Sequence, residues 1–355
     1  SEFSTSNYNR HIFRVIWRTM RDGFYDEHLN GKNWDAILAR YEDAAAQTKS
    51  PESFDRIVSM LLGELNASHT GYTNNKKSLW QKKVPWSEEM RHLGLKYTQK
   101  VDGWHVNQVL PTGPTDKEVS RVKVGEIITA INGVAVNDKT IEYDVLWGQL
   151  KDNIKLKVKG IDGKERTVTI IGITYRMASA LIAEAVIEDR KEQVEKLSNG
   201  KLGYIHISRM MWDEFEKFEQ HLYENGAGKD GIVIDVRDNG GGFTTDHLLT
   251  ALTQPRHAYT IPRNGGRGYP QDRFVYATWD KPIIVLCNQN SFSNAEIFAH
   301  AIRSLDRGQI VGVATAGGVI SAGQSSILTA GKLRMPFRGW FVIGSGEDME
   351  LNGAE

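Results

Sequence analysis

Ser293 lies in a stretch of sequence that could present a nucleophile. Residues 283–287 are five consecutive apolar residues after Pro282, a pattern that predicts a strand buried on both faces. A polar turn over residues 288–291 then leads into apolar residues at helical spacing. A strand that turns sharply into a helix places Ser293 at the carboxyl edge of a sheet, where an α/β enzyme can expose a nucleophilic serine. The alternative is that Ser293 is only the N-cap of the helix, and this stretch alone favours the cap.

A run of glycines follows a second predicted strand. Residues 231–235 (GIVID) predict a buried strand, and residues 240–242 shortly after it are all glycine. Consecutive glycines let the backbone approach a ligand closely and direct its amides at it. A phosphate loop is one option, but no Gly-Lys-Ser/Thr follows, and a plain tight turn is another. The third option is an oxyanion hole, in which amides of this loop and of the Ser293–Asn294 turn converge on one oxygen.

A serine–histidine pair, Ser68-His69, follows a helical segment that ends near Glu64. An imidazole can accept the proton of a serine hydroxyl near neutral pH, although a lone histidine in a loop is more often only solvated. The ten histidines of the chain include no His-Glu-x-x-His or comparable pair. We therefore predict no metal site and no cofactor.

The composition argues against several classes of function. Lys+Arg and Asp+Glu both number 44, so the formal net charge is zero and the sequence predicts no nucleic-acid or anionic-membrane surface. No apolar run approaches the roughly 20 residues of a membrane span, and no signal peptide is evident, so we expect a cytoplasmic protein. Residues Ser1-Glu2-Phe3 resemble a cloning remnant, and we expect the natural protein to have further N-terminal domains.

Three segments must position these residues. Residues 4–80 predict a helical cap that carries Ser68-His69 at its end. Residues 88–177 predict a compact β-rich module, and the polar residues 75–90 predict a linker before it. Residues 178–355 alternate strands with helices, which is typical of an α/β core. The predicted fold class is thus multidomain α+β with an α/β core.

The β-rich module is similar to a PDZ domain. The resemblance rests on Leu93-Gly94-Leu95 and on the segment VGEIITAINGVAV at residues 124–136. It implies that the module accepts an extended peptide as an added strand, with the Leu93-Gly94-Leu95 loop cradling a carboxylate. The alternative is a module that serves only as a spacer.

Taken together, these motifs resemble those of the tail-specific, or C-terminal processing, serine peptidases. That family has the pattern Asp-x-Arg-x-Asn-x-Gly-Gly followed by Ser-x-Ser-x-x-Glu, which the chain fills at residues 235–242 and 291–296. Within the family, the chain is most similar to the C-terminal part of the tricorn proteases. The matches to that group are the order of the three domains, the Ser68-His69 pair, and Glu350 in a closing Glu-x-x-Gly. The resemblance implies a crotonase- or ClpP-like catalytic core.

The resemblance also implies a catalytic role for each matched residue. Ser293 would attack the peptide carbonyl, and His69 would take its proton and pass it to the leaving amine. Ser68 would relay a hydrogen bond from the imidazole to Glu350. Peptides are the implied substrates, and the full-length protein is expected to form a homo-oligomer.

The expected oxyanion donors are the amides of Gly241 and Asn294. The lysine-dyad members of the family carry Thr-x-Gly-Lys downstream of the serine, whereas Gly318 stands at that lysine position here. His69 is therefore the candidate base. The tricorn group prefers basic and hydrophobic residues before the cut, through an acidic residue in the segment after the triple glycine. The corresponding residues 254–272 include three arginines and a single aspartate at their end, so we do not carry the basic preference over.

Two other classes of function stay open on the sequence. One is a catalytically inactive peptide-binding module that keeps the fold. The other is a non-peptidase α/β serine hydrolase such as an esterase. The nucleophile of such enzymes usually lies in Gly-x-Ser-x-Gly, and residues 291–295 lack both glycines.

Overall fold

In a computed structural model, the chain forms two compact units. The structure describes residues 5–75, 89–148, 150–255, 258, 260–265 and 277–354. One unit combines residues 1–82 with residues 194–355, and the other consists of residues 83–193, which separate those two segments in the sequence. We call them the discontinuous unit and the inserted unit. Most of the predicted linker, residues 76–88, lies outside the described residues.

The helices of the described ranges are α1 (Thr5–Gly23), α2 (Trp34–Ala46), α3 (Pro51–Gly63), α4 (Glu142–Leu146), α5 (Tyr175–Leu197), α6 (Trp212–Glu224), α7 (Thr245–Thr253) and α8 (Asn294–Ser304). The sequence Ser50-Pro51-Glu52-Ser53 predicts a helix start, which α3 confirms: the Ser50 side chain accepts a hydrogen bond from the Ser53 amide, and Pro51 occupies the first turn. None of these helices combines the length and apolar character needed to cross a membrane.

The strands of the described ranges are β1 (Gly71–Asn74), β2 (Glu89–Met90), β3 (Leu95–Lys100), β4 (Gly103–Val109), β5 (Ile127–Ile131), β6 (Val134–Ala135), β7 (Trp147–Gly148), β8 (Asn153–Lys159), β9 (Glu165–Ile171), β10 (Leu202–His206), β11 (Gly231–Asp235), β12 (Ile283–Cys287), β13 (Gln309–Gly312), β14 (Ile320–Ile327) and β15 (Gly331–Gly339). The predictions of β11 and β12 from their apolar runs are confirmed, residue for residue.

A parallel sheet forms the centre of the discontinuous unit. Its strands lie in the order β10-β11-β12-β13, each parallel to its neighbour. Parallel strands require crossover connections, and helices α6, α7 and α8 lie in the segments between successive strands. All five residues of β11 are buried, as expected for a strand covered on both faces. The carboxyl ends of β11 and β12 therefore bring the glycine run and the Ser293 turn to one edge of the sheet.

Helices α1 and α3 pack against a second, antiparallel sheet of order β1-β15-β14, and α2 packs on α1 and α3. Phe13 of α1 and Leu333 of β15 belong to the same buried apolar core. Strand β1 pairs with β15, with Gly71 opposite Arg334. Because β1 begins two residues after His69, this pairing anchors the predicted cap and its histidine to strands of the discontinuous unit.

The inserted unit is built on an antiparallel sheet of order β3-β4-β5-β8-β9, with β6 paired to β5. The sequence predicts a turn at Asn132-Gly133 and a hairpin formed by residues 154–158 and 166–171. The turn joins β5 to β6, and the hairpin is formed by β8 and β9. The sheet encloses a core that includes the fully buried Trp104. These are the β-rich elements that the sequence predicts for this segment.

The Leu93-Gly94-Leu95 loop is largely buried in the inserted unit. The side chains of Leu93 and Leu95 are each 1% exposed and belong to the core. The Gly94 amide donates to His92 Nδ1 at 3.0 Å. Gly94 has φ 76°, and a Cβ there would come within 2.4 Å of the Pro114 ring, so the turn requires glycine. That this loop cradles a carboxylate stays a prediction, and its central amide is already bonded within the chain.

Candidate active site

Ser293 lies between β12 and α8 in a strained turn. Its backbone has φ 59° and ψ −118°, a conformation that non-glycine residues rarely adopt and that costs about 1–3 kcal/mol. Ser293 occupies the N-cap position of α8, and its amide donates to Glu296 Oε1 at 2.8 Å. Its Oγ also lies 3.0 Å from His69 Nε2. The serine is thus both a helix-cap residue and the hydrogen-bond partner of a histidine, so the two sequence interpretations do not exclude each other.

His69 is held at both ring nitrogens. Its Nδ1 lies 2.6 Å from Ser68 Oγ, while its Nε2 faces Ser293. The residue is 8% exposed and has φ 59°, so its backbone is also in the left-handed region. The imidazole stacks on the ring of Phe292, with centroids 4.8 Å apart and an angle of 10° between the planes.

Glu350 is a buried carboxylate, 5% exposed, that binds the other side of Ser68. Its Oε1 accepts the Ser68 amide at 2.6 Å. Its Oε2 accepts Ser68 Oγ at 3.0 Å and the Val319 amide at 2.7 Å. Glu347, its exposed neighbour in the sequence, makes none of these contacts. The structure therefore brings together all four residues that the sequence predicts as a set: Ser293, His69, Ser68 and Glu350.

The hydrogen-bond chain fixes the tautomer of His69. The Ser68 hydroxyl donates its hydrogen bond to Glu350. The Ser68 oxygen is therefore left to accept a hydrogen bond from the N–H at His69 Nδ1. With the ring proton on Nδ1, Nε2 is the nitrogen that accepts from Ser293 Oγ. Burial, with a smaller contribution from the positive charge of Arg334, lowers the pKa of His69 to about 4. The imidazole is thus neutral at pH 7 and able to act as a base.

The glycine run packs directly against the nucleophile turn. A Cβ on Gly241 would lie 2.7 Å from both the Phe292 carbonyl oxygen and Ser293 Cβ. The Gly241 amide donates to Asn239 Oδ1 at 2.9 Å. Within the described ranges, the amides of Gly242 and Asn294 have no hydrogen-bond partner in the chain. Of the two predicted oxyanion donors, Asn294 thus has an amide without a partner among the described residues. The Gly241 amide is already bonded, and the amide of the next glycine, Gly242, is free.

The other residues of the glycine-loop motif hold the end of β11. The Arg237 guanidinium donates from Nε to Asp235 Oδ1 at 2.8 Å, and the Tyr204 hydroxyl donates to Asp235 Oδ2 at 2.7 Å. Burial alone would raise the pKa of Asp235, but the bonds from Arg237 and Tyr204 outweigh it and lower that pKa. Asn239 donates to the Ile207 carbonyl at 2.8 Å. These residues therefore support the site without lying at its centre.

Glu296 has a larger role than the sequence reasoning gave it. It is fully buried, and besides the Ser293 amide it accepts Thr315 Oγ1 at 2.6 Å and the amides of Gly317 and Gly318 at 2.5 and 2.9 Å. Its spacing from Ser293 is that of a capping box, so the sequence contained a signal for the first of these contacts. The contacts to residues 315–318 have no local signal.

Two family profiles match the chain. Residues 201–353 match peptidase family S41, and residues 7–63 match the tricorn protease C1 domain. Residues 201–353 are thus similar to peptidase family S41, and residues 7–63 to the tricorn protease C1 domain. The S41-like segment contains β10 to β15 and the Ser293 turn, while the C1 match covers the helices before Ser68-His69.

Curated tricorn protease homologs match nearly the whole chain. It is 28% identical to tricorn protease homolog 1 of Streptomyces coelicolor, over 98% of this chain and 32% of the relative. It is 29% identical to the tricorn protease homolog of Saccharolobus solfataricus, over 88% of this chain and 28% of the relative. The chain thus spans about a third of the length of these curated relatives.

A solved tricorn protease structure shares the fold of this chain. The TM-score is 0.82 at 21% sequence identity, and the match covers 99% of this chain and 34% of the other. The mixed α/β fold with a helical N-terminal region is therefore confirmed. A PDZ assignment of the inserted unit and a crotonase-like assignment of the core stay predictions.

Proposed function

We propose that this chain is a serine peptidase that hydrolyses peptides or oligopeptides through Ser293, His69, Ser68 and Glu350. The observation that carries the proposal is the continuous hydrogen-bond chain from Ser293 Oγ through the His69 ring and Ser68 Oγ to Glu350. The match of residues 201–353 to peptidase family S41, with relatives named tricorn protease homologs, supports peptides as the substrate class.

The reaction would begin with attack of Ser293 Oγ on the carbonyl carbon of the scissile peptide bond. As the C–O bond forms, His69 Nε2 takes the hydroxyl proton. The resulting imidazolium then gives this proton to the leaving amine as the C–N bond breaks, which leaves an ester on Ser293. A water molecule, deprotonated by His69, attacks that ester and releases the acid and the free serine.

Ser68 and Glu350 would stabilise the imidazolium that forms in both steps. The Ser68 hydroxyl lies between the positive charge of this imidazolium and the Glu350 carboxylate. Because Glu350 is only 5% exposed, water screens its negative charge poorly. The same chain holds the proton on Nδ1, so that Nε2 always faces the serine. Glu350 therefore acts through Ser68 rather than through a direct contact with His69.

The negative oxygen of the tetrahedral intermediate would be held by backbone amides. We assign one donor to Asn294 and the second to the Gly241–Gly242 pair. The Gly241 amide reaches Asn239 Oδ1 in this structure, so Gly242 is the member of the pair with a free amide. Removal of one such donor typically lowers the rate by about 10²–10³.

From the resemblance to the tricorn proteases, we propose that the full-length protein is a cytoplasmic homo-oligomer. We also propose that the inserted unit binds peptide by strand addition. In the described sheet β3 pairs only with β4, so its other edge is open to an added strand. The resemblance of residues 91–175 to a PDZ domain supports this edge as the binding surface.

The decisive experiment is cleavage mapping of a mixed peptide library by mass spectrometry, with wild type beside Ser293→Ala and His69→Ala. A matched control comes from α8, where Ser304 Oγ lies 3.1 Å from His300 Nε2. Ser304→Ala and His300→Ala are expected to cut like wild type. Cleavage that persists in Ser293→Ala would refute the proposed nucleophile.

A fluorophosphonate probe and an ester panel distinguish the two other classes of function. Labelling of Ser293 with ester turnover but no peptide turnover would identify a non-peptidase hydrolase. Wild type that neither labels nor cuts, yet binds peptide, would identify an inactive binding module. Both results would overturn the proposal.

A further inference from the structure

Phe292 makes a contact that the proposed mechanism does not use. Its ring lies face to face with the His69 imidazole, at 4.8 Å and 10°, immediately before Ser293 in the chain. The Phe292 backbone is fixed as well, since its amide donates to the Asn239 carbonyl at 2.9 Å. The aromatic face is therefore presented to the imidazole from a rigid turn.

The Phe292 ring also occupies the space that a side chain at position 318 would need. A Cβ on Gly318 would lie 2.1 Å from Phe292 Cε2 and 2.9 Å from Cδ2. Gly318 does not have a left-handed φ, so its backbone would accept any L-residue. Position 318 thus requires glycine because the Phe292 ring fills the space beside it, and not because of its backbone conformation.

The Gly318 backbone cannot easily retreat from Phe292. Its amide donates to Glu296 Oε1 at 2.9 Å, and the next amide, that of Val319, donates to Glu350 at 2.7 Å. Both carboxylates are buried. A larger residue at 318 would therefore displace the Phe292 ring rather than its own backbone.

The hydrogen bonds of His69 leave one motion of its ring uncontrolled. Contacts at Nδ1 and Nε2 fix the two ends of a line through the imidazole, but the ring can still tilt about that line. Such a tilt turns the Nε2 lone pair away from Ser293 Oγ and weakens the hydrogen bond. A flat aromatic face against the imidazole opposes the tilt, and it also stabilises the positively charged ring through its quadrupole.

We propose that Phe292 is a positioning residue for His69, and that Gly318 is glycine in order to seat the Phe292 ring. The inference rests on the proposed function insofar as it assigns His69 as the base. The stacking contact itself is independent of turnover. Its test therefore has one arm that measures activity and one that does not.

The activity arm is a double-mutant cycle on Phe292→Leu and Gly318→Ala. Each single substitution is expected to lower kcat by about 10–100-fold with KM changed less than threefold, since a misplaced base affects the chemical step. In the Phe292→Leu background, Gly318→Ala is expected to cost less than threefold, because the added methyl enters vacated space. Equal costs of Gly318→Ala in both backgrounds would overturn the proposal. Phe337→Leu, on an exposed face of β15, is the matched control.

The acid limb of the kcat/KM profile separates positioning from a merely structural effect. The groups that face His69 are Ser68, Glu350 through Ser68, Ser293, and Arg334 of β15, and all are unchanged in Phe292→Leu. Loss of the aromatic face is expected to move the limb to lower pH by up to about one unit. A limb that does not move, with kcat lowered, would mean that Phe292 only supports the fold.

The second arm is the NMR ring-current shift of the His69 ring protons. In wild type these protons lie over the face of Phe292, so they are expected upfield of their normal position. The shift is expected to disappear in Phe292→Leu and to change in Gly318→Ala. Normal positions in folded wild type would overturn the stacking inference even if the protein is an active peptidase. Upfield protons in a wild type without peptidase activity would refute the proposed function alone.

Discussion

Glu296 and Glu350 accept hydrogen bonds from consecutive backbone amides, those of Gly318 and Val319, at 2.9 and 2.7 Å. One carboxylate also holds the Ser293 amide, and the other holds Ser68. Residues 318 and 319 thus join the turn that carries the candidate nucleophile to the group that orients the candidate base. A substitution at either carboxylate is expected to affect both halves of the site.

Glu350→Gln is expected to lower kcat/KM by about 10²–10³-fold. All three partners of this carboxylate, namely the Ser68 amide, the Ser68 hydroxyl and the Val319 amide, are donors, so an NH₂ group in its place faces at least one of them. The negative charge that stabilises the imidazolium is also lost. The measurement is steady-state kinetics on a peptide identified by library mapping, with Glu347→Gln as the exposed control. An unchanged kcat/KM would remove Glu350 from the mechanism.

The acid limb of kcat/KM is expected near pH 4 rather than at the ordinary histidine pKa of about 6.5. Only neutral His69 can take the serine proton, and its lowered pKa extends the neutral form down to about pH 4. The free energy of unfolding is expected to fall as the pH drops from about 6.5 to about 4, since the unfolded chain then binds a proton that the folded chain does not. Activity that halves near pH 6.5 would contradict this.

Arg334→Gln tests the electrostatic part of this shift. The Arg334 charge lowers the pKa of His69, so its removal is expected to move the acid limb to higher pH. Arg338→Gln, on the same strand and also exposed, should leave the limb in place. If the acid limb of kcat/KM moved by the same amount in both variants, the shift would reflect only the net charge of the protein and not the Arg334 charge in particular.

Glu296→Gln is expected to destabilise the discontinuous unit and to lower activity. The carboxylate accepts from Ser293, Thr315, Gly317 and Gly318, and an amide there leaves at least one buried donor unpaired, at a cost of about 1–3 kcal/mol. Urea unfolding measures the stability, and fluorophosphonate labelling measures the alignment of Ser293. Glu216→Gln, on the exposed face of α6, is the control. Wild-type values for both measurements would show that the turn does not depend on Glu296.

Gly241→Ala and Gly240→Ala are expected to differ sharply although they are neighbours. A Cβ at 241 meets the Phe292 carbonyl and Ser293 Cβ at 2.7 Å, whereas a Cβ at 240 has nothing within 4 Å. The first substitution is expected to lower kcat/KM by at least about 10²-fold through displacement of the Ser293 turn, and the second to change it little. Similar kinetics for both variants would show that the close approach of this loop is dispensable.

The sequence predicted the parts of this molecule that depend on local pattern. Strands β11 and β12 follow from apolar runs, the start of α3 from Ser50 and Pro51, and the hairpin turn from Asn132-Gly133. Each signal lies within a few residues of the structure that it specifies. The packing of α1 on β14 and β15 and of α3 on β1 was not predicted, because no local pattern in the helices specifies which strands cover them.

The candidate site divides in the same way. The nucleophile turn and the glycine run were found from local sequence, while His69 and Glu350 were assigned through the family resemblance. His69 and Ser293 are 224 residues apart, so their contact depends on the whole fold of the discontinuous unit. The Phe292–His69 stack and the Gly318 contact were missed, since a phenylalanine before a serine and a glycine before a strand are both common.

The contact between Phe292 and Gly318 has an evolutionary consequence. The lysine-dyad relatives that this sequence resembles carry a lysine at the place of Gly318, and no side chain fits there while the Phe292 ring is present. Exchange of one base for the other is therefore not expected to proceed through a lysine at 318 alone, because that lysine would displace Phe292, and with it His69. We expect the two positions to be epistatic. Among relatives of this chain, an aromatic residue at 292 is expected to accompany glycine at 318, so that the two change together.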